Sequence, residues 1–347
     1  MTGTSRQRTT LTLALLAIVA TLLGATLTPG GAAAAPKPSP TPTGPGNEGA
    51  TPLLRDVIES TGRGYVQAKN AVATSRKRQL QLALELQKVE GRIAALRPQV
   101  GAVAATAYRT GRIGPMMVLL NSASPDAFIE RAEGLDMLAQ YDNSRLRELN
   151  DALDQANRAN AAIDAEVAEE QKQLTVMAKK KEEAERALEL VGGGRTDGFV
   201  VAWSPVARQA PRKSDGSWPR QSCSEPDPTT SGCITPRTLH ALKEAQRNGF
   251  ERHVSCYRPG GPYEHPKGRA CDFSAERNGF GGDAYGGDKL YGNNLTAFLV
   301  RNADRLGVLY VIWYRQIWLP ATGWRSYRAA YGDPSSDHTN HVHLSML

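Results

Sequence analysis

The chain has 347 residues, with 42 Lys and Arg against 35 Asp and Glu, a formal net charge of +7. That length holds two or three domains. The basic balance suits an anionic partner, but no nucleic-acid motif accompanies it, so nucleic acid is not an expected partner.

Arg6 and Arg8 precede an apolar run from Leu11 to Leu27, and Ala32–Ala35 follow. These are the charged, apolar and small-residue parts of a secretory signal peptide over 1–35. A membrane anchor is the alternative; the run falls short of the ~20 residues a spanning helix needs. Export puts Cys223, Cys233, Cys256 and Cys271 in an oxidising compartment, where an even number implies disulfides. Of the three possible pairings we expect the sequence-local one, Cys223–Cys233 with Cys256–Cys271. The expected location is secreted, extracellular or cell-wall associated, with an anionic wall polymer such as peptidoglycan and its acidic glycopolymers as partner.

Residues 36–52 are rich in Pro, Gly and Thr and read as an extended tether. Residues 53–191 read as two long helices. Leu82, Leu86, Val89, Ile93, Leu96, Val100 and Val103 follow alternating steps of four and three, the seam of a coiled coil. Pro98 lies inside that seam and is expected to kink the helix or remove a hydrogen bond. A second seam runs through Leu135, Leu138, Leu146, Leu149, Leu153, Ala156, Ile163, Val167, Leu174 and Met177, with Asn160 and Glu170 as register-setting polar residues. Between the helices, Tyr108-Arg109-Thr110-Gly111-Arg112-Ile113-Gly114-Pro115 breaks the pattern, and Met116 to Leu120 form an apolar patch. This predicts an antiparallel hairpin with a hydrophobic tip and arms on the order of 80–100 Å. The turn, the Met-Met-Val-Leu-Leu-Asn-Ser-Ala-Ser tip and the long arms resemble the coiled-coil regions of bacterial cell-wall hydrolases and their activators. The resemblance implies that membrane or wall machinery engages the tip, and that the hairpin restrains the following domain until it does; a passive spacer is the alternative.

Gly192-Gly193-Gly194 end the second helix, and 192–218 read as a linker. Residues 219–347 lose the heptads and read as a small α+β domain. A helix is predicted over Thr235–Asn248, with Thr235 as N-cap and Pro236 behind it. A second runs over Leu290–Leu306, closed by Gly307. Strands are predicted over Phe250–Tyr257, Arg269–Phe273, Val308–Trp318 and His341–Met346.

The chemistry concentrates in this domain. His265-x-x-Gly268-x-Ala270-x-Asp272 and the later His341-x-His343 together resemble the signature of the zinc D-alanyl-D-alanine dipeptidases and carboxypeptidases, which share a fold with hedgehog-type and lysostaphin-like domains. Val254-Ser255-Cys256-Tyr257-Arg258 and Tyr310-Val311-Ile312-Trp313 bring it closest to an actinobacterial secreted domain of unassigned activity. The resemblance implies a small antiparallel metallopeptidase-like sheet with helices and a Zn2+ site made of His265, Asp272 and His343. It also implies His341 as an auxiliary catalytic histidine and Arg258 as the group that holds an oxyanion or a substrate carboxylate. Three N/O ligands leave one zinc position open for chemistry. Residues 341 and 343 share a face in a strand, and Gly268 and Ala270 are small, as expected near a metal and its substrate. One position departs from the pattern: the dipeptidases place a Glu three residues before the last zinc histidine, and here it is Asn340. Asp337, His338, His341 or Glu264 are candidates to move protons instead. Trp313, Trp318, Trp324 and Tyr331 suit either a substrate groove or a core.

The expected activity is zinc-dependent hydrolysis of peptidoglycan peptides. The alternatives are a non-catalytic metal-stabilised wall-binding module or a coiled-coil activator of another hydrolase. A cysteine peptidase is a third class, but its Asp-Cys-Ser-Gly motif is absent around Ala270-Cys271-Asp272.

Overall fold

A computed structural model describes residues 52–347, apart from Arg112, Val200, Ala202, Pro262, Ala329 and Ala330. The predicted signal peptide, and the tether as far as Thr51, lie outside the described residues. Helix α1 spans Pro52–Thr110 and runs continuously through Pro98; a short helix α2 (Ile113–Leu120) forms the tip, and α3 spans Pro125–Glu189. Ser124 caps α3 by accepting from the Ala127 N–H, with Pro125 at the first helical position. At 1.5 Å per residue, arms of 59 and 65 residues are about 90 and 100 Å long.

The arms pair with each other, antiparallel, within one chain. Arg76 reaches Glu170 at 2.8 Å and Arg92 reaches Gln155 at 3.4 Å, so numbers rise on one arm as they fall on the other. Glu170 also accepts from Gln79 at 2.9 Å, the register-setting contact expected of a polar seam residue. Val89, Ile93, Ala152 and Ala156 close a small core between the arms. Elsewhere two helices cannot cover both seams, and Leu138, Leu146, Leu153 and Val167 stay exposed.

The C-terminal half is built on a six-stranded antiparallel sheet ordered β3-β4-β8-β5-β6-β7. Its strands are β3 (Val254–Ser255), β4 (Ala270–Ser274), β5 (Val308–Trp313), β6 (Gln316–Leu319), β7 (Gly323–Ser326) and β8 (His341–Met346). A two-stranded ribbon, β1 (Glu225–Pro226) with β2 (Cys233–Ile234), precedes it. Helix α4 (Pro236–Arg247) starts as the sequence implies, with the Thr235 side chain accepting from the Thr238 N–H.

Three predicted elements differ. Val308–Trp318 is a hairpin, not one strand, because Tyr314 and Arg315 both take positive φ, 49° and 61°; that backbone makes a tight primed turn without its usual Asn-Gly signal. Leu290–Leu306 is part of two helices, α5 (Gly286–Arg301) and α6 (Ala303–Leu306). Asn302 interrupts them by turning its amide to Pro205 and Ala207 of the preceding segment. Phe250–Tyr257 shrinks to the two residues of β3. The segment 192–218 lies along the domain: Ala207 and Ala210 are buried, and the Ala210 N–H donates to Arg305.

Alternation along the strands divides the sheet into two buried faces. Cys271, Phe273, Val311, Trp313, Val342, Leu344 and Met346 face α4 and α5. Tyr310, Ile312, Ile317 and Leu319 face the root of the hairpin, where Leu54 and Ile58 of α1 and Ala187 and Leu188 of α3 cover them. At Gly62 an added Cβ would stand 3.0 Å from Leu309 Cδ1, so glycine lets α1 lie close on β5. The hairpin root is thus the second helical layer of the domain.

Both expected disulfides are present, Cys223–Cys233 and Cys256–Cys271. The first explains Gly268 differently from the expectation. Gly268 has φ 65°, and a Cβ there would meet Cys223 Sγ at 2.4 Å and the Cys233 carbonyl at 2.7 Å. It is small to pass beneath the disulfide, not to admit a metal or substrate. Gly268→Ala should therefore cost at least about 2 kcal/mol from left-handed backbone and overpacking, read as a lowered unfolding midpoint in thermal or denaturant melts.

Candidate metal centre

β8 places His341, His343 and Ser345 on the face toward the hairpin root, and β4 places Asp272 beside them. Asp272 is directly paired with His343 across β4 and β8, and Ser274 with His341. His265 comes from a 3-10 turn (His265–Lys267) just before β4. All four are essentially inaccessible to solvent.

Asp272 is the hub. Its carboxylate lies 2.8 Å from His343 Nδ1, 3.1 Å from His265 Nε2, 3.5 Å from His341 Nε2 and 3.2 Å from the Arg258 guanidinium. Burial alone would raise its pKa; the facing His265 and His341, with hydrogen bonds from His265 and His343, outweigh this and hold it well below the ordinary carboxylate range.

The rings are set by their outer nitrogens. His265 Nδ1 lies against the Cys256 carbonyl, and His338 Nδ1 lies 3.0 Å from the Ser336 carbonyl. His341 Nδ1 lies 2.7 Å from Asn340 Oδ1. A carbonyl can only accept, so each of these Nδ1 atoms carries a proton; in the neutral His338 and His341 rings this leaves the lone pair on Nε2. Among the described residues, Nε2 of His338 and of His341 has no hydrogen-bond partner although both are buried. Asn340 cannot turn over, since its amide nitrogen donates to the Gly281 carbonyl at 2.9 Å. The residue in the usual Glu position is therefore a ring-orienting group for His341.

Among the described residues, two sets of side chains bring ligand atoms within 4.8 Å of one another: His265, Asp272 and His343, and His338, His341 and His343. The first is the set expected from the sequence. It fits a dication better, because it offers a carboxylate charge as well as two imidazoles, with N/O donors and no thiolate. His338 is the addition. It lies three residues before His341, in a turn with φ 53° that only the fold brings inward; the His-x-x-His-x-His run was the signal available for it.

Other candidates are placed elsewhere. Glu264 is buried among Arg63, Lys267 and Arg269 at 2.6, 2.9 and 2.6 Å, and Asp337 is held by Arg315. Their ion pairs are structural and they do not reach the cluster as proton carriers. Trp313 packs on Gly292 of α5, Trp318 packs on the same side of the sheet, and Trp324 meets Phe199 edge-on. Only Tyr331 of the four aromatic residues is exposed. With all four cysteines in disulfides, no thiol remains for nucleophilic chemistry.

The roof over the cluster was not legible in the sequence. Tyr310 stacks on His343 with ring centres 5.5 Å apart, and Tyr327 meets His338 edge-on at 5.5 Å. Above them lies Arg55 of α1, buried, set over the Tyr263 ring at 4.4 Å and hydrogen-bonded to both tyrosines.

Residues 230–342 match the family described as VldE, C-terminal domain. The matched stretch contains Arg258, His265, Asp272, His338 and His341 and stops one residue before His343. No curated protein sequence matches the chain. Two disulfides point to an oxidising compartment, and among the described residues no helix is long and apolar enough to cross a membrane.

Burial, only partly offset by Asp272, pushes His341 down to about 3 and His343 down to about 4; burial and the neighbouring histidines hold His338 well below its usual range. These rings stay neutral when folded and bind protons near 6.5 when unfolded. The unfolded chain therefore takes up more protons as pH falls, and stability falls with it. Asp272 acts in the same direction at lower pH. Metal-free protein should lose thermal stability progressively between about pH 6.5 and 4, and His341→Gln should flatten that slope in pH-dependent melts.

Proposed function

We propose that the chain is a secreted zinc-dependent hydrolase of peptidoglycan peptides, held closed by the root of its own coiled coil. The observation that carries this reading is the buried convergence of His265, His341, His343 and Arg258 on Asp272, with the outer nitrogens of His265 and His341 fixed by carbonyl contacts and that of His343 by the Ser345 hydroxyl.

His265, Asp272 and His343 would hold the ion. A bound zinc supplies Lewis-acid polarisation of the scissile carbonyl and an acidified water. His341, its Nδ1 proton fixed by Asn340, presents Nε2 to accept the proton of the attacking water and return it to the leaving amine. Arg258, at the rim with its guanidinium on Asp272, supplies positive charge for the developing oxyanion or for a substrate carboxylate. The Cys256–Cys271 bridge closes a loop 15 residues long, which contributes about 3 kcal/mol in the entropy model, and it fixes the Cys256 carbonyl that orients His265.

The cover supports regulation. Leu54, Arg55 and Ile58 lie on the face that holds the cluster, and Arg63 grips Glu264, the neighbour of His265. A peptide reaches the histidines only if this root lifts. Burial is also the largest cause of the low His341 value, so the closed state has the poorest base. At the far end Met116, Met117 and Leu120 are exposed, beside a groove of about 660 Å³ lined by Leu119, Pro125, Phe128 and Ile129. A membrane or wall-machinery partner engaging this tip would pull on the arms that cover the site.

A second reading, a metal-stabilised wall-binding module without turnover, is favoured by the single observation that Asn340 stands where a Glu would. Digestion of purified sacculi and D-Ala-containing peptides by zinc-loaded full-length protein distinguishes the two. The hydrolase reading predicts low turnover in the closed wild type and at least tenfold more in Ile58→Glu, abolished by chelator and by Asp272→Asn in the same background. Folded Ile58→Glu protein that holds zinc but leaves all substrates intact would establish the non-catalytic reading.

A further inference from the structure

A cleft of about 690 Å³ opens where the hairpin root meets the domain, on walls from α1, α3, the 215–221 segment, α4, Arg269 and Leu347. None of the residues of the metal centre lines it, so its chemistry is independent of any zinc bound there. Five arginines line it, Arg63, Arg78, Arg220, Arg237 and Arg269, against the carboxylates of Glu166, Glu169 and Asp215. Several of these charges are already matched. Arg78 pairs with Glu166 at 3.3 Å, and Arg63 and Arg269 share Glu264, each at 2.6 Å.

Arg220 and Arg237 are different: among the described residues neither has a side-chain carboxylate within ion-pair distance. Arg237 is only 2% exposed. Its terminal nitrogens donate to the main-chain oxygens of Leu347 and Pro219, and its Nε finds no acceptor among the described residues. It is the second residue of α4, at the positive end of the helix dipole, where a cation is on the wrong side. Burial and the neighbouring Arg63, Arg212 and Arg269 push its guanidinium down to about 10. The guanidinium also lies 4.8 Å from the centre of the Trp218 ring, so Arg237 is held from behind the surface and lends the cleft positive charge without a direct ligand contact.

Guanidinium groups in a cluster match the paired oxygens of phosphate. The volume lies within the range of small-molecule sites and exceeds what one inorganic anion fills. Gln67, Asn70 and Gln221 on the walls offer amides suited to hydroxyl groups. We propose that this cleft binds a phosphate-bearing carbohydrate or alditol, its phosphate on the exposed Arg220 with Arg78 beside it, the buried Arg237 adding positive charge behind them, and its hydroxyls on the amide side. Because α1, α3 and the domain all supply walls, such a ligand also bridges the hairpin to the domain.

Calorimetric titration of the full chain tests this with three probes: glycerol 3-phosphate, a synthetic glycerol-phosphate oligomer, and glycerol as the neutral control. At least one phosphate probe should bind and glycerol should not. Stronger binding of the oligomer identifies a phosphodiester polymer as the source; stronger binding of the monoester identifies a free sugar or alditol phosphate. Arg220→Glu and Arg78→Glu, both at exposed positions, should each weaken binding at least tenfold, whereas Arg145→Glu on the hairpin shaft should leave it unchanged. Absence of binding by both phosphate probes would overturn the proposal. So would binding insensitive to Arg220→Glu, or weakened equally by Arg145→Glu, which would mean attraction to net charge alone.

Discussion

The interactions around one buried carboxylate hold this molecule's functional end together. Asp272 has no solvent contact, and only Arg258 among its partners carries a permanent charge. An ionised carboxylate in that position is tolerable only while every lone pair is met. The requirement propagates outward. The Cys256–Cys271 bridge aligns β3 with β4, the Cys256 carbonyl turns His265 inward, and the β4–β8 register sets His343 opposite Asp272. Asn340, tied to Gly281, turns His341 to the same point.

The second constraint is that the sheet has no open face. A small antiparallel sheet with helices on one side ordinarily leaves the other to solvent or substrate. Here the other side carries the histidines together with Tyr310, Ile312, Ile317 and Leu319, and the coiled-coil root seals it. Residues 219–347 alone would bare that apolar strip. The hairpin is thus part of the fold's core at its root, while its tip lies at the far end of the arms. The Arg63–Glu264 ion pair fastens α1 beside the first histidine of the cluster, and Arg269 shares the same carboxylate.

Local spacing made much of this legible in the sequence. The heptad steps announce both arms, Thr235-Pro236 gives the start of α4, and the cysteine spacing points to both bridges. His265, Asp272 and His343 were legible through the resemblance of His265-x-x-Gly-x-Ala-x-Asp272 and His341-x-His343 to a zinc signature, and the β4–β8 pairing brings them together. What was hidden depends on distant segments. The strand His-Val-His-Leu-Ser-Met alternates like a half-exposed strand, and nothing near it announces that α1 covers its polar side. Arg55, Tyr310 and Tyr327 reach the cluster only through tertiary packing, and His338 through a strained turn. Trp313, whose sequence context suits a groove as well as a core, is core because the sheet's other face is also buried.

The central claim is that Asp272 organises a nitrogen- and oxygen-ligated metal site beneath the hairpin root. Zinc stoichiometry combined with X-ray absorption of the full-length protein tests it most directly. The account predicts one zinc per chain with nitrogen and oxygen neighbours only, lost in Asp272→Asn while both disulfides remain. Zinc-exposed protein that retains no metal, or metal bound through sulfur, would contradict it.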